Sequence, residues 1–119
     1  AEAHTNLGIL LDDLGNREEA VDHFQTAIDL NPNDTQAHFH YGVCLGRLGR
    51  HLEAIEQYNV TIRLDPNFSL AHRNLAMELY NTGDYGGAWR EVHLSQRYGQ
   101  EPHPNFIQAL SQRMAEPNQ

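Results

Sequence analysis

The sequence predicts an all-α fold in which three two-helix units stack into a solenoid and a seventh helix caps the end. Leu-Asn-Pro-Asn at 30–33 returns as Leu-Asp-Pro-Asn at 64–67, so the chain repeats with a period of 34 residues. Apolar residues within each unit recur at steps of three and four, the spacing of one buried helical face. Glycine or proline follows each apolar run, which sets the helix boundaries.

The first unit, residues 1–34, shows how each helix pair is encoded. The first helix, predicted over 1–14, places four leucines at helical spacing: Leu7, Leu10, Leu11 and Leu14. Gly15 ends it, because glycine tolerates the left-handed conformation found at helix ends. A second helix over 17–30 ends before Pro32, since the residue preceding a proline disfavours helical geometry.

The rest of the chain repeats this plan twice and then adds a helix. The second and third units cover residues 35–68 and 69–102. The last helix, at about 104–115, begins with Pro104, and a first helical position suits a residue without a backbone N–H. Its apolar face, expected to cover the third unit, consists of Phe106, Ile107, Leu110 and Met114. The whole chain, 1–119, is therefore predicted to be one domain.

Composition excludes several classes of function. Sixteen acidic and eight basic residues give a net charge of −8, and nucleic acid or an anionic membrane would need a basic patch. No apolar run approaches the ~20 residues of a membrane-spanning helix. The single cysteine, Cys44, cannot form an internal disulfide and is expected to be buried. We expect a soluble protein, favouring the cytoplasm over the periplasm, and, without a first Met, a processed product or a piece of a longer chain.

Eight histidines raise the question of a metal or active site. His4, His38 and His72 share one column of the repeat and face inward, whereas His40 points about 160° away from His38. Equivalent helices should lie at least ~8–10 Å apart, too far for nitrogens that must each lie about 2.0–2.1 Å from one zinc ion. We therefore predict no metal and no cofactor, and polar packing roles for the inward column. The histidines expected to be solvated are His23, His51, His93 and His103.

Catalytic motifs are not found in the sequence. It contains no G-x-S-x-G elbow, no phosphate-binding glycine loop and no C-x-x-C pair. Gly83, Gly86 and Gly87 suggest either a hinge or, as we favour, a turn before a helix that has Asp84 as its N-cap. The chain is therefore predicted not to be an enzyme, and a histidine-based enzyme is the weakest alternative.

The period, the order of small and large residues and the closing prolines resemble the tetratricopeptide repeat family over residues 1–102. The matching residues are Leu7, Gly8, Ala20, Phe24, Ala27 and Pro32 in the first unit, and Gly42, Leu45, Ala54, Tyr58 and Pro66 in the second. The third unit departs from the pattern, since Ala76 replaces the glycine, Val92 the aromatic residue and Ser95 the alanine. The resemblance implies a right-handed solenoid that binds a peptide or partner protein.

First helices are expected to line the concave side of such a solenoid. An exposed apolar strip usually marks a contact surface, and here it would consist of Ile9, Phe39, Val43 and Met77. The resemblance implies that Asn6 and Asn74 contact a bound peptide, and Arg47 and Arg73 could pair with a ligand carboxylate. The predicted ligand-binding residues are Thr5, Asn6, Ile9 and Asp13 in the first unit, Phe39, His40, Val43 and Arg47 in the second, and Arg73, Asn74, Met77 and Asn81 in the third.

The predicted function is a non-catalytic scaffold that buries ligand side chains in this groove. One branch of the family holds the C-terminal carboxylate of heat-shock chaperones with lysine, asparagine and arginine. This chain has no lysine, and only Asn74 is comparable at the matching positions, so that clamp is absent. The alternatives are self-association through the groove or the end faces, and a groove covered by flanking repeats.

Overall fold

The computed structural model describes residues 2–117, and within them it contains seven α-helices and no strand. The helices are α1 (Glu2–Asp13), α2 (Arg17–Leu30), α3 (Thr35–Arg47), α4 (His51–Leu64), α5 (Ser69–Asn81), α6 (Tyr85–Arg97) and α7 (Pro104–Arg113). The predicted all-α solenoid is confirmed. The predicted start of the first helix at Ala1 and the last two residues of the predicted domain lie outside the described residues. None of the seven helices is long and apolar enough to cross a membrane.

Glycines in the left-handed conformation end the first helix of every unit and the last paired helix. They are Gly15 with φ 89°, Gly49 with φ 79°, Gly83 with φ 89° and Gly99 with φ 95°. The following N–H bonds back across the helix end, as Asn16 does to the Leu11 carbonyl at 2.8 Å, which satisfies carbonyls that the helix leaves open. Asp84 caps α6 as predicted, since its carboxylate accepts from the Gly87 N–H at 2.9 Å.

Within the first unit, and again within the second, the two helices approach each other closely at a glycine. A Cβ atom built on Gly8 would lie 2.8 Å from Cε1 of Phe24, and one on Gly42 would lie 2.8 Å from Cε1 of Tyr58. Both rings are buried, so a side chain added at either glycine would press against a ring that has little room to move.

Neighbouring units pack through the second helix of one and the first helix of the next, α2 on α3 and α4 on α5. The Phe24 and Tyr41 rings lie 6.0 Å apart across the first of these contacts. Adding units along one axis gives an elongated molecule of 43 × 25 × 19 Å.

The last helix closes the third unit as predicted, although it ends at Arg113 rather than near residue 115. Leu110 is fully buried, and Phe106 and Ile107 pack against the core. Met114 does not belong to the apolar face, because it follows the helix in extended conformation and is 39% exposed. Its carbonyl instead accepts a hydrogen bond from Nε1 of Trp89 at 2.8 Å.

Candidate binding groove

The first helices form the inner surface of the stack. α1 contacts α3, and α3 contacts α5, more closely than the second helices contact one another. The stack therefore curves towards α1, α3 and α5, and the side chains that leave these helices on the inner side line a groove.

One apolar column runs along this groove. Ile9, Val43 and Met77 occupy the same position of the three units, 34 residues apart. Ile9 and Val43 are half-buried, and Met77 is 45% exposed. Two clefts open beside them, one of about 370 Å³ next to Ile9 and one of about 300 Å³ between Val43 and Met77.

Two of the predicted groove residues lie inside the protein. Phe39 is only 7% exposed, with its ring 4.9 Å from Phe68 and 5.9 Å from Tyr58. Thr5, one unit earlier, is 4% exposed, and its hydroxyl donates to Asp34 at 3.1 Å. The expectation that Phe39 belongs to an exposed strip is wrong, because its column faces the start of the next unit.

The neighbouring column carries the polar groups. Asn6 is exposed and has no hydrogen-bond partner among residues 2–117, whereas Asn74 is half-buried and lines the same cleft as Tyr58. His40 lies between them, half-buried, with its ring edge against Phe39. Burial lowers the pKa of His40, and the nearby Asp12 carboxylate opposes part of that shift.

The two predicted groove arginines differ in their engagement. Arg47 Nη1 lies 2.7 Å from Asp12 and 3.9 Å from Asp13, while Arg17 Nε binds the other Asp12 oxygen at 3.1 Å. Asp12 is 5% exposed, and a buried carboxylate needs such partners. Arg47 is therefore already paired within the protein, whereas Arg73 makes no ion pair in the part of the chain that the structure describes.

Sequence reasoning missed Asp12 and one further wall of the cleft beside Met77. The His51 Nδ1 and the Glu78 Oε2 lie 2.5 Å apart there, and the Glu78 side chain lies against Gly46. A glutamate in a column that holds Leu10 and Cys44 in the other units was the available signal.

The inward histidines fill polar packing positions, as predicted. His38 Nε2–H donates to the Pro32 carbonyl at 2.8 Å, and Nδ1 lies 2.7 Å from Gln57 Oε1. His72 repeats this arrangement with the Pro66 carbonyl and Glu91. Between residues 2 and 117, no three histidine, cysteine, aspartate or glutamate side chains converge as a metal site would require.

The expectation of solvation is wrong for three of the other histidines. His23 lies with its Nδ1 3.2 Å from that of His4, His51 binds Glu78, and His93 Nε2 lies 2.7 Å from Glu116. His103 is exposed as expected, and its Nδ1 accepts from the Asn105 N–H. Cys44 is fully buried as predicted, and burial raises the pKa of its thiol to about 11.

Comparison with known proteins agrees with this geometry. A solved structure of MamA superposes with a TM-score of 0.79 at 27% identity over 82% of this chain, which spans 57% of that chain's length. The Yersinia enterocolitica type III secretion translocator chaperone SycD gives a TM-score of 0.80 at 22% identity over 97% of this chain and 80% of its own.

A third structure shows the same fold in a complex. The first tetratricopeptide repeat domain of Spaghetti (RPAP3), solved with the HSP90 peptide SRMEEVD, has a TM-score of 0.89 at 16% identity, covering 95% of this chain and 91% of its own. No curated protein matches the sequence. The tetratricopeptide repeat family matches residues 5–69, more than half of the chain. The chain therefore belongs to the tetratricopeptide repeat family.

Proposed function

We propose that the groove binds an extended segment of a partner protein and that the chain is a non-catalytic scaffold. The apolar column of Ile9, Val43 and Met77 carries this proposal. All three units keep an apolar side chain at a position that is at least partly exposed, although exposure of a contiguous apolar strip costs free energy unless something covers it.

Ligand side chains would enter the cleft between Val43 and Met77, and unpartnered amides would hold the ligand backbone. An asparagine side chain offers a donor and an acceptor together, and Asn6 and Asn81 have no hydrogen-bond partner among the described residues. Asn74 is less accessible than Asn6 and Asn81, because it is half-buried in the cleft that Tyr58 also lines.

The charge around the groove favours a neutral or basic ligand. Glu2 and Asp13 lie at the first-unit end of the groove, and the Arg47 guanidinium is already paired with Asp12 and Asp13. The RPAP3 domain binds an acidic HSP90 peptide, and a SycD structure holds a peptide of the translocator YopD. That likeness supports peptide binding in general. The carboxylates at the first-unit end oppose an acidic ligand there, whereas Arg73, without an ion pair among the described residues, could still pair with a single ligand carboxylate in the third unit.

The test captures partners from the native host and then measures each captured segment as a purified peptide. Met77→Glu should weaken binding by at least about tenfold, since it places a charge in the apolar column. Asn6→Ala should weaken it less and should not lower the melting temperature, because alanine has a higher helix propensity than asparagine.

Leu52→Glu is the matched control, because Leu52 is a 74% exposed leucine on α4, outside the groove. It should leave the affinity unchanged. Equal affinity of the Met77→Glu variant and the wild-type chain would contradict the proposal, as would equal losses in Met77→Glu and Leu52→Glu.

A further inference from the structure

The first unit ends in an apolar face that lies apart from the groove. Leu7 and Leu10 of α1, and Leu14 directly after its last residue, are 40%, 54% and 66% exposed. Their spacing of three and four residues aligns them in one stripe along the helix. Such a stripe of large apolar side chains in water marks a contact surface.

The later units show what covers this face. Tyr41 and Cys44, at the positions of Leu7 and Leu10, are 5% and 0% exposed, because α2 packs over them and brings the Phe24 ring against Tyr41. Leu75, the equivalent in the third unit, is 2% exposed beneath α4. A helix therefore fits on α1 as α2 fits on α3, in continuity with the two repeat interfaces that the structure contains.

Charge is concentrated at the same end of the molecule. Residues 1–34 hold eight acidic residues and one arginine, a net charge of −7, and residues 35–119 hold eight acidic residues and seven arginines, a net charge of −1. The sum is the −8 of the whole chain. A partner for this end gains from carrying positive charge.

The Glu19 carboxylate lacks the cationic partner that its equivalent in the second unit has. In the second unit Glu53 is held by Arg50 through bonds of 2.6 and 2.9 Å. Glu19 is the same position in the first unit, but Asn16 replaces the arginine. Glu19 therefore has no ion-pair partner within the described chain, and Asp22 stands exposed one turn away.

A second copy of the chain does not fit this face. Two first units would bring net charges of −7 against each other, which opposes association. The outer side of α7 is not a complementary surface either, because its exposed residues include Gln108, Ser111 and Gln112, which are polar.

We propose that this end face, formed by Leu7, Leu10, Leu14, Glu19 and Asp22, binds a cationic amphipathic helix of another protein. The helix would lie on α1 as α2 lies on α3, with an aromatic residue over Leu7. In the α2–α3 contact, Gln25 and Asp29 line one cavity with Glu53 and Glu56. Lysine or arginine at the positions of the incoming helix that correspond to Gln25 and Asp29 would therefore meet Glu19 and Asp22. This site is independent of the groove.

The probes are two peptides with the sequence of residues 17–30, stapled on the outward side because an isolated helix of this length is marginal. One carries Gln25→Lys and Asp29→Lys, and the other carries glutamate at both positions. Fluorescence anisotropy with the 119-residue chain should show the cationic peptide binding at least about tenfold tighter, with a preference that falls as salt rises.

Protein variants locate the site. Leu10→Glu should abolish binding of the cationic peptide, whereas Leu52→Glu, at an exposed leucine on α4, and Met77→Glu in the groove should retain it. Equal affinity for the two peptides, no binding of either, or loss in Met77→Glu alone would overturn the proposal. So would a sedimentation profile in which the wild-type chain dimerises and Leu10→Glu does not, since the face would then bind a second copy.

Discussion

The third unit solves the contact between its two helices differently from the first two. Gly8 and Gly42 each receive an aromatic ring at a distance that leaves no room for a methyl group. In the third unit the glycine is Ala76 and the ring is Val92, and both are fully buried. Ala76 is larger than the glycine it replaces, and Val92 is smaller than the aromatic residue it replaces. The third unit therefore keeps the combined size of the pair rather than the identity of either residue.

A polar pair shows the same kind of exchange. His4 lies by His23, His38 by Gln57 and His72 by Glu91, always at the same two positions of the unit. Exposure falls along this series, from half-buried His4 to His72, whose side chain is 4% exposed against 8% for Glu91. The third unit therefore places a carboxylate where it depends most on its partner.

Replacing His72 or His38 by alanine should give the largest difference in stability between the third and second units. His72→Ala leaves the Glu91 carboxylate and the Pro66 carbonyl without their partner, and should lower the free energy of unfolding by about 3 kcal/mol. His38→Ala leaves only neutral groups, and should cost about 1–2 kcal/mol. Urea denaturation followed by circular dichroism measures both.

Glu91→Gln is the control for charge, because it gives the third unit the pair that the second unit has. It should cost less than His72→Ala, since a hydrogen-bond partner for His72 remains. Equal losses in His72→Ala and His38→Ala would show that the units do not differ at this position.

Exchanging the size pair between units is the second way to test the comparison. Gly42→Ala forces a methyl group against Tyr58 and should cost about 1–2 kcal/mol, even though alanine is the better helix former. Tyr58→Val relieves that contact. The double variant reproduces the pair of the third unit and should be more stable than the sum of the two single losses allows, by about 1 kcal/mol.

Urea midpoints and slopes of the four proteins in this cycle give the coupling free energy. Strict additivity would mean that Ala76 and Val92 do not compensate each other. Gly86→Ala, at an exposed glycine on α6 whose added Cβ has no described atom within 4 Å, controls for the gain in helix propensity and should not destabilise the chain.

Local signals in the sequence predict most of the fold and part of the groove. The 34-residue shift places Ile9, Val43 and Met77 in one column, and glycine or proline marks where the helices of a unit stop, so both follow from spacing alone. These features need no knowledge of distant contacts.

Contacts between units are what spacing could not predict. Phe39 lies on the outward side of its helix when α3 is considered alone, but Phe68 at the start of the next unit covers it. Arg47 also has no partner when α3 is considered alone, although in the structure it forms an ion pair with the buried Asp12 of α1. Burial and pairing at these positions depend on how far the neighbouring unit is rotated, which no single helix encodes.

His40 provides a weaker test, through pH. Burial keeps its pKa below the ordinary value near 6.5, so at acidic pH the unfolded chain binds the proton more readily than the folded chain. The stability that neutral His40 provides is complete above about pH 6.5 and is lost as the pH falls below it. His40→Asn, which matches Asn6 and Asn74, should reduce the loss in urea midpoint between pH 7.5 and 5. An unchanged loss would contradict this assignment.

The thiol of Cys44 allows the covered second unit to be compared with the open face of the first unit by its rate of chemical modification instead of by unfolding. Burial raises its thiol pKa from 9.0 to about 11, so at pH 8 the reactive thiolate is about 100-fold rarer than in the unfolded chain. Iodoacetamide should therefore modify the folded protein far more slowly than the protein in urea.

Leu10→Cys combined with Cys44→Ser moves the thiol one unit earlier, to a position where the leucine is 54% exposed. That thiol should react at a rate close to the unfolded one, because no residue among 2–117 covers the Leu10 side of α1. Similar slow rates at the two positions would show that the first unit is as well covered as the second.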